Sequence, residues 1–284
     1  EGKCDTNFIG KHPELMHINQ GETEELRILK YLGNKYVNEV KGNKPQFDVP
    51  AFPRIKDEEI QKLCGTRQLL QKMGPEKFSK WVLEQKRLLI TDTTMRDAHQ
   101  SLMATRMRTI DMEKIAPAMA YYGRDLFSLE MWGGATFDVA YRFLGESPWE
   151  RLATLREKIP NVLFQMLFRG ANAVGYKNYP DNVIREFIKE SAQAGIDVFR
   201  IFDSLNWIQG MEVALDEVLR QGKVAEACIC YTGDILDESR EKYNLKYYVE
   251  LAKELERRGA HMLAIKDMSS LLKPLAAHKL ITAL

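Results

Sequence analysis

The sequence predicts an α/β protein of the TIM, or (β/α)8, barrel type, with about six βα units present and a mixed helical and extended segment before them. From residue 88 onward, short aliphatic runs alternate with helical patterns at intervals of about 30 to 40 residues. The runs lack strict polar alternation, as is typical of parallel strands covered on both faces. Such units also fit a doubly wound sheet, but neither G-x-G-x-x-G nor G-x-x-x-x-G-K-[ST] follows the first run, which favours the barrel.

Residues 1–87 differ from the repeat, and we interpret them as a linker and packing segment before a barrel at residues 88–284. Glycine and proline interrupt regular structure, so their positions set the expected boundaries. The patterns are a helix over Glu22–Leu32, a possible strand over Tyr36–Val40, a polar connector over Gly42–Arg54, and helices on either side of Gly74-Pro75 within Gly65–Gln85.

The barrel region contains six short apolar runs and clear helices between some of them. Asn182–Ala194 shows helical spacing up to Gly195, and Leu245–Arg258 shows it up to Gly259. A complete barrel has eight units, so we expect two more beyond Leu284. The strand candidates are Leu88–Asp92, Leu126–Met131, Val162–Phe168, Val198–Phe202, Ala227–Tyr231 and Met262–Ile265.

Composition indicates a globular protein with a small-molecule partner. The chain has 284 residues, of which 45% are apolar, and its 41 basic and 40 acidic residues leave a formal charge of +1. No charge excess indicates a nucleic-acid partner, and no apolar run approaches the roughly 18 residues of a membrane span. Because the chain begins Glu1-Gly2-Lys3 without an initiator methionine, we expect it to be part of a longer polypeptide.

The cysteines show no C-x-x-C pair or zinc-finger spacing. Cys228 and Cys230 lie two residues apart inside an apolar run. We therefore expect buried, reduced thiols and a reducing compartment.

The stretch from Leu88 to Gln100, L-L-I-T-D-T-T-M-R-D-A-H-Q, changes from an apolar run to a cluster of charged and amide side chains. Such a loop lies at the carboxyl end of its strand, where α/β proteins bind ligands. Asp97 is a candidate ligand for a hard divalent cation, with a turn or helix-capping role as the alternative, and Asp92 is expected to be structural. Arg96 and Gln100, four residues apart, suit the carboxylate and carbonyl of a small keto acid, with exposed surface positions as the alternative.

Two later strands also end in polar residues. Arg169 follows V-L-F-Q-M-L-F and is expected to emerge at the same barrel mouth as Arg96, either to hold an oxo-acid or to pair with a loop carboxylate. Asp203 follows F-R-I-F, with Ser204 and Asn206 close by. We expect these three to support the site through hydrogen bonds rather than to contact a substrate.

Lys266 closes the apolar run M-L-A-I and precedes Asp267. An ammonium group in an apolar barrel mouth is costly unless it is paired or neutralised. A neutral amine there can take up CO₂ and become a carbamate, which is an anionic oxygen ligand for a metal. The alternative is a solvated lysine paired with Asp267 or another acid. His99, His261 and His278 are isolated, without H-x-H or H-x-x-x-H spacing, and are not expected to bind a metal.

Four motifs in order resemble the carboxyltransferase domain of the pyruvate carboxylase family: D-T-T-M-R-D-A-H-Q-S, L-F-R-G-A-N-A-V-G-Y, R-I-F-D-S-L-N and A-I-K-D-M. Upstream, F-I-G-K-H-P-E-L, G-T-R-Q-L-L and G-P-E-K-F resemble the segment that joins the family's biotin carboxylase half to its barrel. The resemblance covers essentially the whole chain. Met95 and Ser270 stand where the family often has Phe and Gly, but neither difference removes a functional group.

The resemblance implies a metal-assisted transfer of a carboxyl group from carboxybiotin to the methyl carbon of pyruvate, which gives oxaloacetate. The family's divalent ion, Zn²⁺ or Mn²⁺, is held by residues matching Asp97 and a carbamylated Lys266, together with an H-x-H pair expected beyond this chain. The metal and the arginines would stabilise the enolate of pyruvate. The residues that hold pyruvate match Arg96, Gln100 and Arg169, and the catalytic residues match Arg96, Gln100 and Lys266.

The resemblance also implies partners. Biotin is carried on a separate mobile domain, ATP and bicarbonate react only in the biotin carboxylase half, and the complete enzyme is a tetramer. Its location is the bacterial cytoplasm, or the mitochondrial matrix in a eukaryote. Because the H-x-H pair and the family's proton-shuttling threonine are expected beyond Leu284, we expect the isolated chain to be inactive.

Two kinds of alternative stay open. The first is another enzyme: a biotin-dependent oxaloacetate decarboxylase or transcarboxylase subunit, or a metal-dependent lyase on the related D-x-T-x-R-D-x-x-Q barrel. The upstream residues argue against it, because a stand-alone subunit would begin near the first strand. The second is a non-catalytic assembly fragment in which residues 1–87 pack between domains.

Overall fold

A computed structural model of the chain describes residues 23–35, 55–237, 239 and 241–284. The chain divides into two units, Glu1–Ala51 and Phe52–Leu284. In the first unit, helix α1 spans Glu24–Gly33 and begins where the Thr23 hydroxyl accepts a hydrogen bond from the Leu26 amide at 3.3 Å, which confirms the expected helix. The possible strand and the polar connector between residues 36 and 54 lie outside the described residues.

The second unit is built on a six-stranded parallel sheet whose strands neighbour one another in chain order. The sheet curls into a half-barrel with helices between successive strands, which confirms the barrel prediction. Among the described helices, none has the length and apolar character needed to span a membrane. The strands are β1 Thr91–Asp92, β2 Ser128–Trp132, β3 Leu163–Phe168, β4 Val198–Ile201, β5 Val224–Cys230 and β6 Met262–Lys266.

The helices of this unit include those expected over Asn182–Ala194 and Leu245–Arg258, within a residue at each end. Single π-helical turns, which are wider than α-helical ones, follow β1 at Thr94–Ala98 and lie before α8 at Ala140–Leu144. The helices are α2 Asp57–Ile60, α3 Thr66–Met73, α4 Pro75–Glu84, α5 His99–Leu102, α6 Thr109–Tyr122, α7 Gly134–Val139, α8 Pro148–Lys158, α9 Asp181–Ala194, α10 Gln209–Arg220, α11 Leu245–Arg257 and α12 Pro274–Ala283.

Two strands differ in length from the sequence prediction. Strand β1 is limited to two residues, with the side chains of Leu88 and Ile90 exposed before it. Strand β5 begins earlier than expected, at Val224, because the buried Glu226 interrupts the apolar run in the sequence but not the strand. A buried charge inside a strand is invisible to apolar patterning, since the pattern treats it as solvent-facing.

Helices α3 and α4 close the amino end of the half-barrel. Leu70 and Phe78 pack against the first residues of several strands, among them Leu163 and Val198. The hydroxyl of Thr66 also donates a hydrogen bond of 2.8 Å to the carbonyl of Phe127. The apolar residues therefore cover the amino ends of the strands, and the polar site residues lie at the carboxyl ends.

A bulge in β2 turns the side chains before and after it to opposite faces of the sheet. Glu130 pairs with Gln165 and Trp132 pairs with Met166, so one residue of β2 is extra. Bulges re-aim the side chains that follow them. Glu130 lines the interior cavity, whereas the Trp132 ring packs edge-to-face against Trp149 of α8, with ring centroids 5.0 Å apart.

The connection before α6 depends on one carboxylate. Oxygen Oε2 of Glu146 accepts hydrogen bonds from the Thr109 hydroxyl at 2.6 Å and from Nη2 of Arg151 at 2.7 Å. Burial acts to raise the pKa of Glu146, but these hydrogen bonds outweigh it and hold the pKa below its ordinary value near 4.5. The ionised form therefore stabilises the folded state.

We expect Glu146→Gln to lower the free energy of unfolding at pH 7 by about 1 kcal/mol, as for the loss of a charge-assisted hydrogen bond. Because the folded-state pKa is depressed, the contribution is present above the unfolded pKa and is lost as pH falls through the folded one. Denaturant unfolding of both proteins between pH 7 and pH 3 measures this. A stability difference that stays constant down to pH 3 would contradict it.

Candidate active site

The carboxyl ends of the strands surround an open cavity of about 660 Å³. The residue after β3 and the last residue of β6 both contribute to it, as do the turn after β1 and the end of β2. Thus side chains far apart in sequence meet at one edge of the sheet. The predicted site residues in its lining are Arg96, Asp97, Gln100, Arg169, Asp203 and Lys266.

The turn after β1 carries three of these residues. Asp92 starts the turn, because its Oδ1 accepts a hydrogen bond from the Thr94 amide at 2.9 Å and its Oδ2 accepts one from the Thr94 hydroxyl at 3.1 Å. This is the structural role expected for Asp92. The π-helical turn that follows, together with helix α5, which carries Gln100, brings Arg96, Asp97 and Gln100 to the same cavity.

Arg96 is held between two carboxylates. Its side chain is 8% exposed, its Nη2 donates to Oε1 of Glu130 at 2.6 Å, and its Nη1 donates to Oδ1 of Asp97 at 2.7 Å. The alternative of an exposed surface position therefore fails for Arg96. The side chain of Asp97 is 49% exposed, so its carboxylate also faces the open cavity.

Arg169 emerges beside Arg96, as the sequence predicts. Its backbone amide bonds to the carbonyl of Ala173 at 2.9 Å, which closes the loop after β3. Its guanidinium lies against the turn after β2, where a Cβ placed on Gly134 would come within 3.4 Å of Arg169 Cζ. Within the described ranges Arg169 forms no ion pair, so the guanidinium is available to an anionic ligand.

Lys266 ends β6 and lines the same cavity. Its Nζ lies 5.1 Å from the ring centroid of Phe202, a cation–π contact. Asp267 does not neutralise it, because its carboxylate accepts the backbone N–H groups of Leu272 at 2.8 Å and Leu271 at 3.0 Å, which hold the pKa of Asp267 below its ordinary value. No other carboxylate of the described segments lies within ion-pair distance of Lys266.

The residues after β4 support the cavity wall. Oδ1 of Asp203 accepts hydrogen bonds from the amides of Leu205 at 2.8 Å and Trp207 at 3.0 Å. Asn206 bonds both backbone groups of Cys230, with its Oδ1 at 2.8 Å and its Nδ2 at 2.9 Å. These contacts match the supporting role that the sequence suggested, although Asp203 and Ser204 also line the cavity.

His99 and His261 take structural positions. Nε2 of His99 lies 2.9 Å from the carbonyl of Met95, and burial lowers the pKa of this imidazole. Nδ1 of His261 accepts the Ala225 amide at 3.0 Å, at the opposite end of the strands. In the segments that the structure describes, no group of three or more histidine, cysteine, aspartate and glutamate residues is arranged to hold a metal ion.

The donor set at the cavity fits a divalent ion on two conditions. Asp97 offers a half-exposed carboxylate, but the ammonium form of Lys266 would repel a cation, so the lysine must be modified as a carbamate. Two described donors also fall short of the four to six ligands that such ions take. Further ligands would have to come from residues outside the described ranges, from water or from a substrate.

Sequence reasoning missed three contributors to this cavity: Glu130, Arg200 and the Gly133-Gly134 turn. Glu130 and Arg200 are charged residues inside otherwise apolar strands, and Gly133-Gly134 directly follows the second strand. A charge inside an apolar strand and a glycine pair at the carboxyl end of a barrel strand were the signals that could have found them.

Comparison with known proteins gives consistent results. The chain is 58% identical over 287 residues to pyruvate carboxylase of Bacillus subtilis and 50% identical over 289 residues to mitochondrial pyruvate carboxylase of Homo sapiens, each match covering 100% of this chain. The structure matches that of the carboxyl transferase domain from Rhizobium etli pyruvate carboxylase with pyruvate and biocytin, with a TM-score of 0.76 and 59% identity over 78% of this chain and 37% of that chain. No family model matches the sequence.

The expected resemblance is therefore confirmed: over its whole length, the chain is similar to a segment of pyruvate carboxylase. The chain spans about a quarter of the length of these relatives, 25% of the bacterial protein and 24% of the human one. The matched solved domain places the segment in the carboxyltransferase region of pyruvate carboxylase.

The thiols below the cavity are predicted to be unreactive. Cys228 and Cys230 are buried, and burial raises the pKa of both thiols, whereas Cys64 is exposed. We expect a thiol reagent to label Cys64 at least about a thousandfold faster, since buried thiols react only from opened states. Timed labelling followed by peptide mass spectrometry measures this, and equal rates for the three cysteines would contradict it.

Proposed function

We propose that this chain supplies most of the carboxyltransferase site of a pyruvate carboxylase, an enzyme of the ligase class, which moves a carboxyl group from carboxybiotin to pyruvate and gives oxaloacetate. One observation carries the proposal: Arg96, Asp97, Gln100, Arg169 and Lys266 all line one cavity at the carboxyl ends of the strands. The similarity to pyruvate carboxylases across the whole chain supports it.

In this proposal the arginines bind and orient an anionic keto acid. Arg169 has no carboxylate partner in the described ranges, so it takes the carboxylate of pyruvate in a two-point hydrogen bond. Arg96 is already fixed by Glu130 and directs its remaining N–H groups at the oxygen that gains negative charge when the methyl proton leaves. Gln100 adds an amide donor on the same side of the turn.

A divalent ion, Zn²⁺ or Mn²⁺, would be held by Asp97 and by Lys266 as its carbamate, with other ligands from the remainder of the protein. When bound, such an ion polarises the keto oxygen as a Lewis acid and makes the methyl group more acidic. The protein's task is to keep Asp97 in place, which the 2.7 Å hydrogen bond from Arg96 does.

The partners follow from the same assignment. Biotin arrives on a separate carrier domain, ATP and bicarbonate are used by another half of the enzyme, and the complete protein is a homotetramer in the bacterial cytoplasm or the mitochondrial matrix. Residues 1–87 join the halves. We expect this chain alone, without further metal ligands, to be inactive.

The competing enzyme assignments have less support. A stand-alone oxaloacetate decarboxylase subunit or lyase barrel needs no segment before the first strand, whereas the similarity to pyruvate carboxylases includes residues 1–87. A non-catalytic assembly fragment would have no need for the charged side chains that line one cavity.

In the complete enzyme that contains this chain, we expect Arg169→Gln to lower kcat/KM for pyruvate on the order of 10²-fold, the loss typical of a charged donor to the reacting anion. Bicarbonate-dependent ATP cleavage should continue, because that reaction occurs elsewhere. Arg257→Gln, at a side chain 69% exposed on α11, is the matched control. Equal pyruvate kinetics for the two variants would refute this role of Arg169.

Asp97→Asn tests the metal assignment. We expect metal affinity to fall by more than the roughly 10- to 100-fold that follows loss of an outer partner, because a direct charged ligand is removed. Metal content of the purified complete enzyme, measured after dialysis, reports this without an activity assay. Asp216→Asn, exposed on α10, is the control, and an unchanged metal-to-protein ratio in Asp97→Asn would rule out ligation by Asp97.

A further inference from the structure

The most deeply buried charge at the cavity belongs to Glu130. Its side chain is 1% exposed, and its Oε1 lies 2.6 Å from Nη2 of Arg96. A carboxylate buried in a strand is costly unless it is paired, and its pairing stabilises a protein less than a well-packed apolar residue often would. The stability of the fold does not require a carboxylate at Glu130, but a role in holding Arg96 would explain it.

The backbone of β2 aims Glu130 at Arg96. Glu130 pairs in register with Gln165, and the bulge after it turns Trp132 to the opposite, helix-covered face. Glu130 is therefore the last residue of β2 on the interior face before the chain leaves the strand. From there its carboxylate reaches a guanidinium carried by the turn after β1.

The two residues after the strand make room for both arginines. A Cβ on Gly133 would lie 3.1 Å from Cδ of Arg96, and one on Gly134 would lie 3.0 Å from the carbonyl oxygen of Val174 and 3.4 Å from Cζ of Arg169. The distances to Arg96 Cδ and to the Val174 carbonyl oxygen are shorter than ordinary van der Waals contact, and the distance to Arg169 Cζ is at its limit. Glycine is required here for close approach and not for a left-handed conformation, since Gly133 has an extended backbone with φ of −147°.

We propose, on the basis of the proposed function, that the end of β2 positions the keto-acid site: Glu130 is a positioning residue that acts through Arg96, and Gly133 and Gly134 seat Arg96 and Arg169. Glu130 fixes one side of the Arg96 guanidinium, and Asp97 fixes another. With both Nη1 and Nη2 of this group held, the directions of its remaining N–H bonds are fixed. The arrangement is therefore rigid before substrate arrives, which lowers the ordering cost of binding.

The test uses the complete enzyme and the substitution Glu130→Gln, which keeps the shape but removes the charge. We expect kcat/KM for pyruvate to fall on the order of 100-fold, the loss typical of a small misplacement of a reacting group. Bicarbonate-dependent ATP cleavage should stay within about twofold of the wild type. Glu130→Asp, which keeps the charge on a shorter side chain, should recover part of the loss, and it carries the test if Glu130→Gln does not fold.

A double-mutant cycle separates positioning from a general structural role. If Glu130 acts through Arg96, then Glu130→Gln has little further effect in an Arg96→Lys background, because coupled residues are not additive. Additive losses in kcat/KM would overturn the proposal, as would parallel loss of both half-reactions. Glu217→Gln is the matched control, since Glu217 is another buried glutamate, on helix α10 and outside the cavity, that pairs with an arginine, Arg185 at 3.2 Å, and it should lower thermal stability but leave the KM for pyruvate within about twofold.

The outcomes also distinguish this inference from the proposed function. A wild-type enzyme that does not carboxylate pyruvate would refute the proposed function. A wild-type enzyme that does so, with Glu130→Gln showing unchanged kcat/KM, would refute the positioning role alone. Gly134→Ala provides an independent measurement, and we expect it to raise the KM for pyruvate more than it lowers kcat, because its Cβ would push on the Val174 carbonyl in the loop that carries the binding arginine, Arg169.

Discussion

A chain of hydrogen-bonded polar side chains, buried at Ser128, Gln165 and Glu226, ties five strands of the half-barrel together. The Thr91 and Ser128 hydroxyls lie 2.8 Å apart, Ser128 donates to Gln165 at 2.7 Å, Gln165 donates to Glu226 at 2.6 Å, and Arg200 donates to Glu226 at 3.0 Å. Each of these residues stands on a different strand, from β1 to β5. Buried polar groups are costly unless each finds its partner, so the chain of bonds allows one set of strand positions and penalises a slip in register.

The site depends on that arrangement because side chains alternate along a strand. Two residues beyond Ser128 on the same face stands Glu130, and two residues beyond Glu226 stands Cys228. The first lines the main cavity, and the second lines a smaller one of about 190 Å³ that also contacts Arg96 and Lys266. A shift of one residue in any strand would turn these side chains to the helix-covered face. The hydrogen-bonded chain in the interior thus fixes the register of the strands, and with it the positions of the charged side chains at the carboxyl ends of the strands.

The difference between local patterns and long-range pairings explains which features could be predicted from the sequence. Apolar runs and the polar residues that end them are local patterns, and they predicted the six strands and the positions of Arg169 and Lys266. The partner of a buried charge is not local: Glu130 and Arg96 are 34 residues apart, and Arg200 and Glu226 are 26 apart. Apolar patterning treats such a residue as an interruption, which is why β5 was predicted to begin after Glu226. Glycine is needed at Gly133 and Gly134 because atoms from other loops approach these positions closely, and those atoms are likewise distant in sequence.

The pairing of charges divides the cations of the cavity into two groups. Arg96 and Arg200 are each bonded to a buried glutamate, so their charges are balanced before any ligand enters. Arg169 forms no ion pair in the described ranges, so its charge is left for a ligand, whereas Lys266, which also forms none there, is the amine proposed to become a carbamate. The guanidinium groups of the paired arginines have fixed orientations, whereas an unpaired guanidinium attracts an anionic ligand. A small anion entering the mouth is thus drawn by Arg169 and meets Arg96 already oriented, which is how the proposed site would bind a keto acid.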